Sequence, residues 1–485
     1  MLPVILPTDV VAWCLLALIV WAVRRVRRTP ELARRWRAVF ARPAATAAAT
    51  VLAVFLATAL ADSVHWRAAL PAAPDAPADA PAAWSPEVKS LLDAAILKGL
   101  GAAGPERSYS RPFATREFDR TTVMTDAGPV RDFQPLRSAG RLPPWRTRAV
   151  EIARLTLLAC IAGGVPAVLG WILAGALLGR ARGTGFAGGM RALANRDGSW
   201  PWRPAAIVLT VFWLLGVWLA LVWPNWHVLG TDAVGGDVLY EAMKSIRTAV
   251  VIGSLATLAT LPFAIALGIA AGYFRGWVDD VIQYVYTTIS SIPGVLLIAA
   301  SMLMIQVFLD KNPGLYQTSL ERADLRLMIL AVIIGMTGWA TLARLLRAET
   351  MKLATLDFVT AARGMGVSPF AIMRRHVLPN VMHVVLIVTV LDFSGIVLYE
   401  AVLSYVGVGV DPVMHSFGTM INAARSELAR SPMIWWSLAA SFTFLLALVL
   451  SANVFAGAVR DAFDPRAKRV RAAAADQAAG TDKEE

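Results

Sequence analysis

The sequence predicts an all-α polytopic membrane protein, and three observations predict it. Of 485 residues, 57% are hydrophobic and only 16% are charged, against roughly 45–50% and about 25% in soluble domains. Mean hydropathy is +0.57. The apolar residues are gathered into blocks of about 18–25, the length that carries an α-helix across ~30 Å of hydrocarbon. Nine such blocks occur.

The first, 2–23, is interrupted by Asp9 and has no basic residue before it, while Arg24, Arg25, Arg27 and Arg28 follow it. A cleavable signal shows the reverse order of charge. The loop at 24–42 carries eight arginines, so the positive-inside rule places it in the cytoplasm and the amino terminus outside. An Ala-rich second block runs from 44 to 61. From 62 to 148 the chain turns polar, beginning with an Ala/Pro run at 69–83 that does not sustain a helix. This segment reads as an extracytoplasmic insert, and its arginines do not oppose that reading because loops beyond about 60 residues escape the charge rule. Within it, 85–99 has Ser85 as an N-cap, Pro86 after it and apolar residues at helical spacing, which predicts a short helix.

Seven further blocks lie at 155–179, 204–223, 248–273, 281–309, 325–346, 381–405 and 433–458. Pro262 and Pro293 fall mid-span, where a missing N–H kinks a helix. Alternating the spans puts the loop with Arg180, Arg182, Arg191, Arg196 and Arg203 inside, together with 344–376 and a tail carrying Arg466, Lys468, Arg469 and Arg471. The loops at 224–247, 310–324 and 406–432 fall outside, and the carboxyl terminus is cytoplasmic, with 467–485 expected to be disordered. Topology thereby accounts for much of the net charge of +12, and no nucleic-acid partner is expected.

Chemistry is not visible. No Gly-Lys dipeptide occurs, so there is no phosphate-cradling P-loop, and HExxH and GxSxG are absent. His65, His227, His376, His383 and His415 are scattered, and Cys14 and Cys160 sit in apolar blocks with no pairing pattern. No catalytic or metal-binding residue is expected. Asp392 and Glu400 are acids within a span, and such groups mark a translocation path or a proton site. A stand-alone proton-coupled secondary transporter is therefore one alternative, and a membrane scaffold or sensor with a ligand-binding insert is another.

One inside loop differs in kind. In 344–380, LDFVTAARGMG is helix-compatible, Gly366 and Ser368-Pro369 break it, and FAIMRRHVL resumes before Pro379. Ala361, Ala362 and Gly364 are small enough for another backbone to approach, with Phe358, Met365, Phe370 and Met373 at the edges. Docking to a partner and lying on lipid headgroups through Arg363, Arg374 and Arg375 both fit this pattern. On the other side, Gly230-Thr231-Asp232 and Asp237 read as a turn that caps the following helix through Thr231 or Asp232, and Gly407 and Gly409 as a chain reversal.

Thr360-Ala361-Ala362, then Gly366, then His376-Val377-Leu378-Pro379 resembles the "EAA" loop of ABC importer permeases with both spacings intact. Thr360 stands for the usual Glu and His376 for the usual Ile, while Asp357 offers an acid one turn earlier. Three more segments are similar to the dipeptide/oligopeptide class, in its C-type subunit. HVLGTDAVGGDVLYEAM at 227–243 matches with Val228 for Pro and Gly236 for Arg. EAVLSYVGVGVDP at 400–412 with Phe417-Gly418, and RDAFDPR at 460–466, complete the order.

The resemblance implies a six-helix permease core at 204–466, preceded by two helices at 1–61, the insert at 62–148, and a third helix with a basic loop at 149–203. It implies an inner-membrane subunit of an ATP-driven importer for peptides or similar small solutes. Asp357, Thr360, Ala361, Ala362, Gly366, His376, Leu378 and Pro379, within the 345–380 loop, would couple to the ATPase. Gly230, Thr231, Asp232 and Asp237 would form an outer-mouth element. Implied partners are a second homologous permease, two cytoplasmic ATPase subunits that carry ATP and Mg, an extracytoplasmic substrate-binding protein and membrane lipid. No cofactor is implied for this chain.

Overall fold

The computed structural model describes residues 2–70, 84–100, 105–125, 128–137, 147–194, 201–316 and 318–463. The expected tail at 467–485 and the Ala/Pro run from 71 onward lie outside them. The chain opens with β1 (Leu2–Val4), α1 (Pro7–Arg28), α2 (Pro30–Phe40) and α3 (Pro43–Asp62). Each of these helices starts on a proline, where the missing N–H is one that no helix uses. The insert follows with β2 (His65–Ala69), β3 (Trp84–Ser90), α4 (Leu91–Leu100), β4 (Thr121–Thr125) and β5 (Gly128–Asp132). Strands β1, β2 and β3 form one antiparallel sheet, and β4 and β5 form a separate hairpin.

Next come α5 (Arg148–Arg182), α6 (Gly185–Ala194) and α7 (Trp202–Val222), then α8 (Val238–Phe274), α9 (Gly276–Ser291), α10 (Gly294–Lys311) and α11 (Ser319–Leu353). Two short helices, α12 (Asp357–Gly364) and α13 (Pro369–Ile372), lead through a π-helical turn at Met373–Val377 into α14 (Leu378–Val406). The last helices are α15 (Phe417–Leu428) and α16 (Trp436–Phe463).

Among the described residues, eight helical stretches are long and apolar enough to cross a membrane: α3, α5, α7, α8, α10, α11, the continuous stretch Pro369–Val406, and α16. They fall on eight of the nine expected spans. The ninth is α1, which has the length, 22 residues, but carries Asp9 in its first turn and Arg25, Arg27 and Arg28 in its last.

Three local expectations need correction. The expected span 281–309 is two helices, because Pro293 forces Ile292 to extended dihedrals (φ −87°, ψ 131°) and ends α9 there. Pro262, in contrast, lies within an unbroken α8. The helix expected at 85–99 begins only at Leu91; residues 84–90 pair with β2 instead. Its true cap is Ser90, whose Oγ accepts from the Asp93 N–H (3.1 Å) while Asp93 accepts from the Ser90 N–H (2.7 Å).

Helices α8 and α11 make the most extensive pair in the molecule. Glycine permits it: a Cβ on Gly335 would stand 2.6 Å from the Ala256 carbonyl oxygen, and one on Gly268 2.8 Å from that of Ala343. In a membrane, where lipid is as apolar as leucine, such backbone approach is what holds helices together. Helices α14 and α16 pack around this pair, and α1 and α3 join it at the insert end. The pair α5 and α7 lies at the edge, joined to the rest through α3 and the insert end, with only 11% and 6% of its apolar windows buried, against 50% and 44% in α8 and α11.

Candidate coupling surface and outer mouth

At the end of α11 the chain leaves the bundle and forms the motif-bearing loop. Val359 and Ala362 of α12, then Ile372 and Val377, are buried in one cluster with Leu346 of α11 and Val381 of α14. Their i, i+3 spacing fixes which side of α12 faces inward. The foundation is braced by Arg347, whose Nε and Nη2 donate to the two carboxylate oxygens of Asp279 on α9 (2.5 and 2.6 Å). Arg275 adds a bond from its guanidinium to the Met351 carbonyl (3.2 Å).

The opposite side of the loop is open. Asp357, Thr360, Ala361 and Gly366 are exposed, with the Thr360 hydroxyl donating to the Asp357 carbonyl (2.9 Å). Around them stand Leu356 (44% exposed), Phe358 (43%), Met365 (76%) and Phe370 (70%). Gly366 has φ +77°, a left-handed conformation that turns the chain from α12 toward α13 and that glycine adopts without strain. Ala362 differs from the expectation of an approachable surface, since it faces the interior at 3% exposure. His376 is half-buried against the Phe358 ring (6.2 Å between centroids), Leu378 packs on the inner cluster, and Pro379 is exposed in the first turn of α14.

At the other end of the bundle, the expected outer-mouth motif is covered rather than open. Thr231 is fully buried; its hydroxyl donates to the Ser108 carbonyl (2.9 Å), its N–H to the Ser110 carbonyl (3.1 Å), and its own carbonyl accepts from the Trp436 indole (2.9 Å). The insert thus lies directly on this segment. Asp237, not Thr231 or Asp232, is the N-cap of α8, accepting from the N–H groups of Leu239 (2.9 Å) and Tyr240 (3.1 Å). Asp232 closes its own turn onto Val234 and Gly236.

His227 sits between Asp237 (2.7 Å) and Glu106 of the insert (3.4 Å). Burial alone would depress its imidazolium, but the hydrogen bonds and charges of the two carboxylates outweigh it and raise the pKa to about 9. A raised folded-state pKa contributes stability that is complete below the unfolded value near 6.5 and disappears as pH climbs through about 9. Melting temperature should therefore fall by roughly 2–4 °C between pH 7 and 10 beyond the fall of a His227→Gln variant. Parallel melting curves across that range would contradict the ion pair.

Two buried clusters, invisible to motif reading, fasten the amino-terminal part to the core. Arg247 of α8 donates to Asp9 (2.7 Å) and Thr8 (2.6 Å) of α1 and to Asp324 of α11 (3.3 Å), and the Thr8 hydroxyl also bonds Asp324. His65 of β2 completes the set on Asp9 (2.9 Å). One turn earlier, Lys244 bridges Asp62 of α3 (2.7 Å) and Asp93 of α4 (2.8 Å). Burial would raise the Asp93 carboxyl, but the Lys244 charge and hydrogen bonds from Lys244, Ser90 and Tyr240 hold it below the ordinary range. The one available signal was a charge at the edge of an apolar block. Its partners, 77 to 239 positions away for Arg247, leave no local pattern.

Of the two acids expected in a translocation path, the structure separates the roles. Glu400 is buried and accepts from the Ser404 hydroxyl (2.7 Å), which in turn accepts from the Val410 N–H (3.1 Å), so it secures the reversal that Gly407 begins at φ +89°. Asp392 is half-buried on α14 and makes no hydrogen bond or ion pair among the described residues. No group of three or more His, Cys, Asp or Glu side chains among those residues is arranged for a metal ion.

Comparison with known proteins now gives this geometry a family. The family of binding-protein-dependent transport system inner membrane components matches residues 264–469. A putative peptide permease protein of Brucella suis is 31% identical over 248 residues, spanning 50% of this chain and 75% of that protein. The chain belongs to this permease family. The oligopeptide transport system permease protein OppC of Mycobacterium tuberculosis is 29% identical over 245 residues, 50% of this chain and 78% of that protein. The glutathione transport system permease protein GsiD of Pectobacterium atrosepticum is 28% identical over 244 residues, 50% and 73%. This permease is thus a multi-pass inner-membrane subunit of an ABC-type system, one that works in general terms with ATPase and binding-protein partners. Membership in a family of permease subunits agrees with reading the chain as a transport subunit rather than an enzyme. About half of the chain lies outside the alignments with these relatives, and the family match starts only at residue 264, after the amino-terminal part and the insert.

Proposed function

We propose that this permease pairs with a second, homologous permease to line a path for peptides or similar small solutes, and that two ATPase subunits drive it through α12. The substrate class is carried over from the names of the peptide, oligopeptide and glutathione permeases to which the chain is similar. The observation that carries the coupling role is the open face of the α12–α13 loop: exposed Phe358 of α12, Met365 just after it and Phe370 of α13 form an apolar patch on a rigidly founded segment, which is the profile of a docking site. ATP and Mg would reside on the ATPases, and this chain would bind no cofactor. The coupling loop and carboxyl terminus would then be cytoplasmic, with the insert and amino terminus outside.

ATP-driven closure of the ATPases would push α12 as a lever. Because Val359 and Ala362 are locked into the cluster that includes Leu346 and Val381, that push passes to α11 and α14. On the opposite side, the insert covers Gly230, Thr231 and Asp232, so a substrate-binding protein would meet the insert before the core. Asp392, which has no partner among the described residues, would meet the amino group of a peptide in transit.

The alternative of a proton-coupled transporter rests on the same Asp392. Proteoliposomes separate the two. With the second permease, the ATPases and the binding protein present, labelled dipeptide or oligopeptide uptake should require internal ATP and survive collapse of the proton gradient. Uptake by this chain alone, abolished by an uncoupler and indifferent to ATP, would overturn the coupling reading.

A further inference from the structure

Between α5, α6 and α7 lies a cavity of about 530 Å³ lined by Pro166, Gly170, Trp171, Leu193, Ala206 and Trp213, among others. Its polar groups are already satisfied: the Trp171 indole donates to the Thr210 hydroxyl (2.8 Å), which donates to the Ala206 carbonyl (2.7 Å), and the Trp213 indole donates to the Gly163 carbonyl (3.1 Å). The walls thus offer apolar contact and no unmet hydrogen bond. From Pro166 to Ala174 the slot runs about 12 Å along α5, at 1.5 Å per residue.

One end of this slot is basic. Arg203 precedes the lining residues Ala206 and Thr210 by three and seven positions, placing it on the same face of α7; Arg182 follows Ala174 by eight and Trp171 by eleven, continuing the lining face of α5. Arg191, two residues before the lining Leu193, lies on the other side of α6 and adds charge near the same end without lining the slot. All three are exposed, and none forms an ion pair among the described residues. The basic end is also the end of the bundle where α11 finishes and α12 begins, since α5 and α11 both start at the insert side.

We propose that this slot is a site for one anionic phospholipid, with an acyl chain between α5 and α7, the phosphate on Arg182 and Arg203, and Arg191 adding to the positive field there. Charge complementarity selects the occupant: an apolar slot with a cationic rim fits an amphiphile with a negative head. A partner's transmembrane helix, about 10 Å across, is too thick for a slot of this volume. The inference rests on membrane residence alone and stands or falls apart from the coupling role.

The test uses the full chain in mild detergent, exchanged against vesicles of equal phosphatidylglycerol and phosphatidylethanolamine, with retained lipids counted by native mass spectrometry. One variant is Gly170→Leu, at a lining position where an added Cβ meets no atom within 4 Å, so the side chain fills the slot and not the protein. The other is the triple change Arg182→Gln, Arg191→Gln and Arg203→Gln. Wild type should retain one phosphatidylglycerol per chain. The triple variant should lose at least about tenfold in its preference for that lipid, and Gly170→Leu should empty the site of either lipid, both at unchanged helicity and elution volume. A wild type without headgroup preference would overturn the site. So would retention that falls in the triple variant but persists in Gly170→Leu, which would mean surface charge without a slot.

Discussion

Replacing Arg247 with leucine is expected to destabilise the permease by about 3–5 kcal/mol, because it strands two buried carboxylates without their cation. Asp9 and Asp324 are 2% and 0% exposed, and Arg247 itself is 4% exposed, so water cannot take over the lost charge. The loss should register as a large drop in melting temperature followed by fluorescence-detected size-exclusion chromatography. It should also loosen α1, which would then be held at this cluster through Thr8, whose N–H and hydroxyl donate to Asp324, but no longer through the guanidinium on Asp9 and Thr8. Neutralising the acids as well, with Asp9→Asn and Asp324→Asn in the same chain, should recover most of the loss, because the dominant penalty is the uncompensated charge and not the missing contact. If Arg247→Leu melts as wild type does, the cluster does not hold the amino-terminal segment.

The second large effect is expected at the coupling surface and should leave stability untouched. Met365→Asp with Phe370→Asp removes the two most exposed apolar side chains of the loop, neither of which packs on the core. If they anchor the ATPase, each is worth about 2 kcal/mol or more, so affinity should fall by about 30-fold, the loss of one alone, to about 900-fold, the sum of both, at unchanged melting temperature. Ala362→Glu provides the contrast. It lies one turn from Val359 on the buried side, so it should damage the loop from within and lower both stability and binding. A pair of surface aspartates that lowers stability without lowering binding would place the face against this chain, not a partner.

The helical fold was legible because crossing hydrocarbon imposes length and apolarity on each segment separately, and eight of the expected spans needed nothing else. The break at Pro293 escaped the periodicity because the apolar run continues through it; only the dihedral restriction on Ile292 marks the end of α9. Strand β3 was misread because its residues satisfy a cap pattern locally, while the strand depends on pairing with β2 across intervening chain. The coupling loop was legible from spacing, yet the inward turn of Ala362 was not, since two adjacent alanines look alike until the helix has a core to face. The Arg247 and Lys244 clusters were illegible for a different reason: a buried charge announces a partner but not its address. The covered state of Thr231 follows from the same long-range contacts with Ser108 and Ser110.

The most direct test of the coupling role is co-purification. The permease, expressed together with its genomic neighbours and extracted in mild detergent, should co-elute with an ATPase and a second permease in fixed stoichiometry, and Met365→Asp with Phe370→Asp should remove the ATPase while the permease pair persists. Wild-type chain that elutes without an ATPase, or an ATPase that stays bound to the aspartate variant, would contradict coupling through α12.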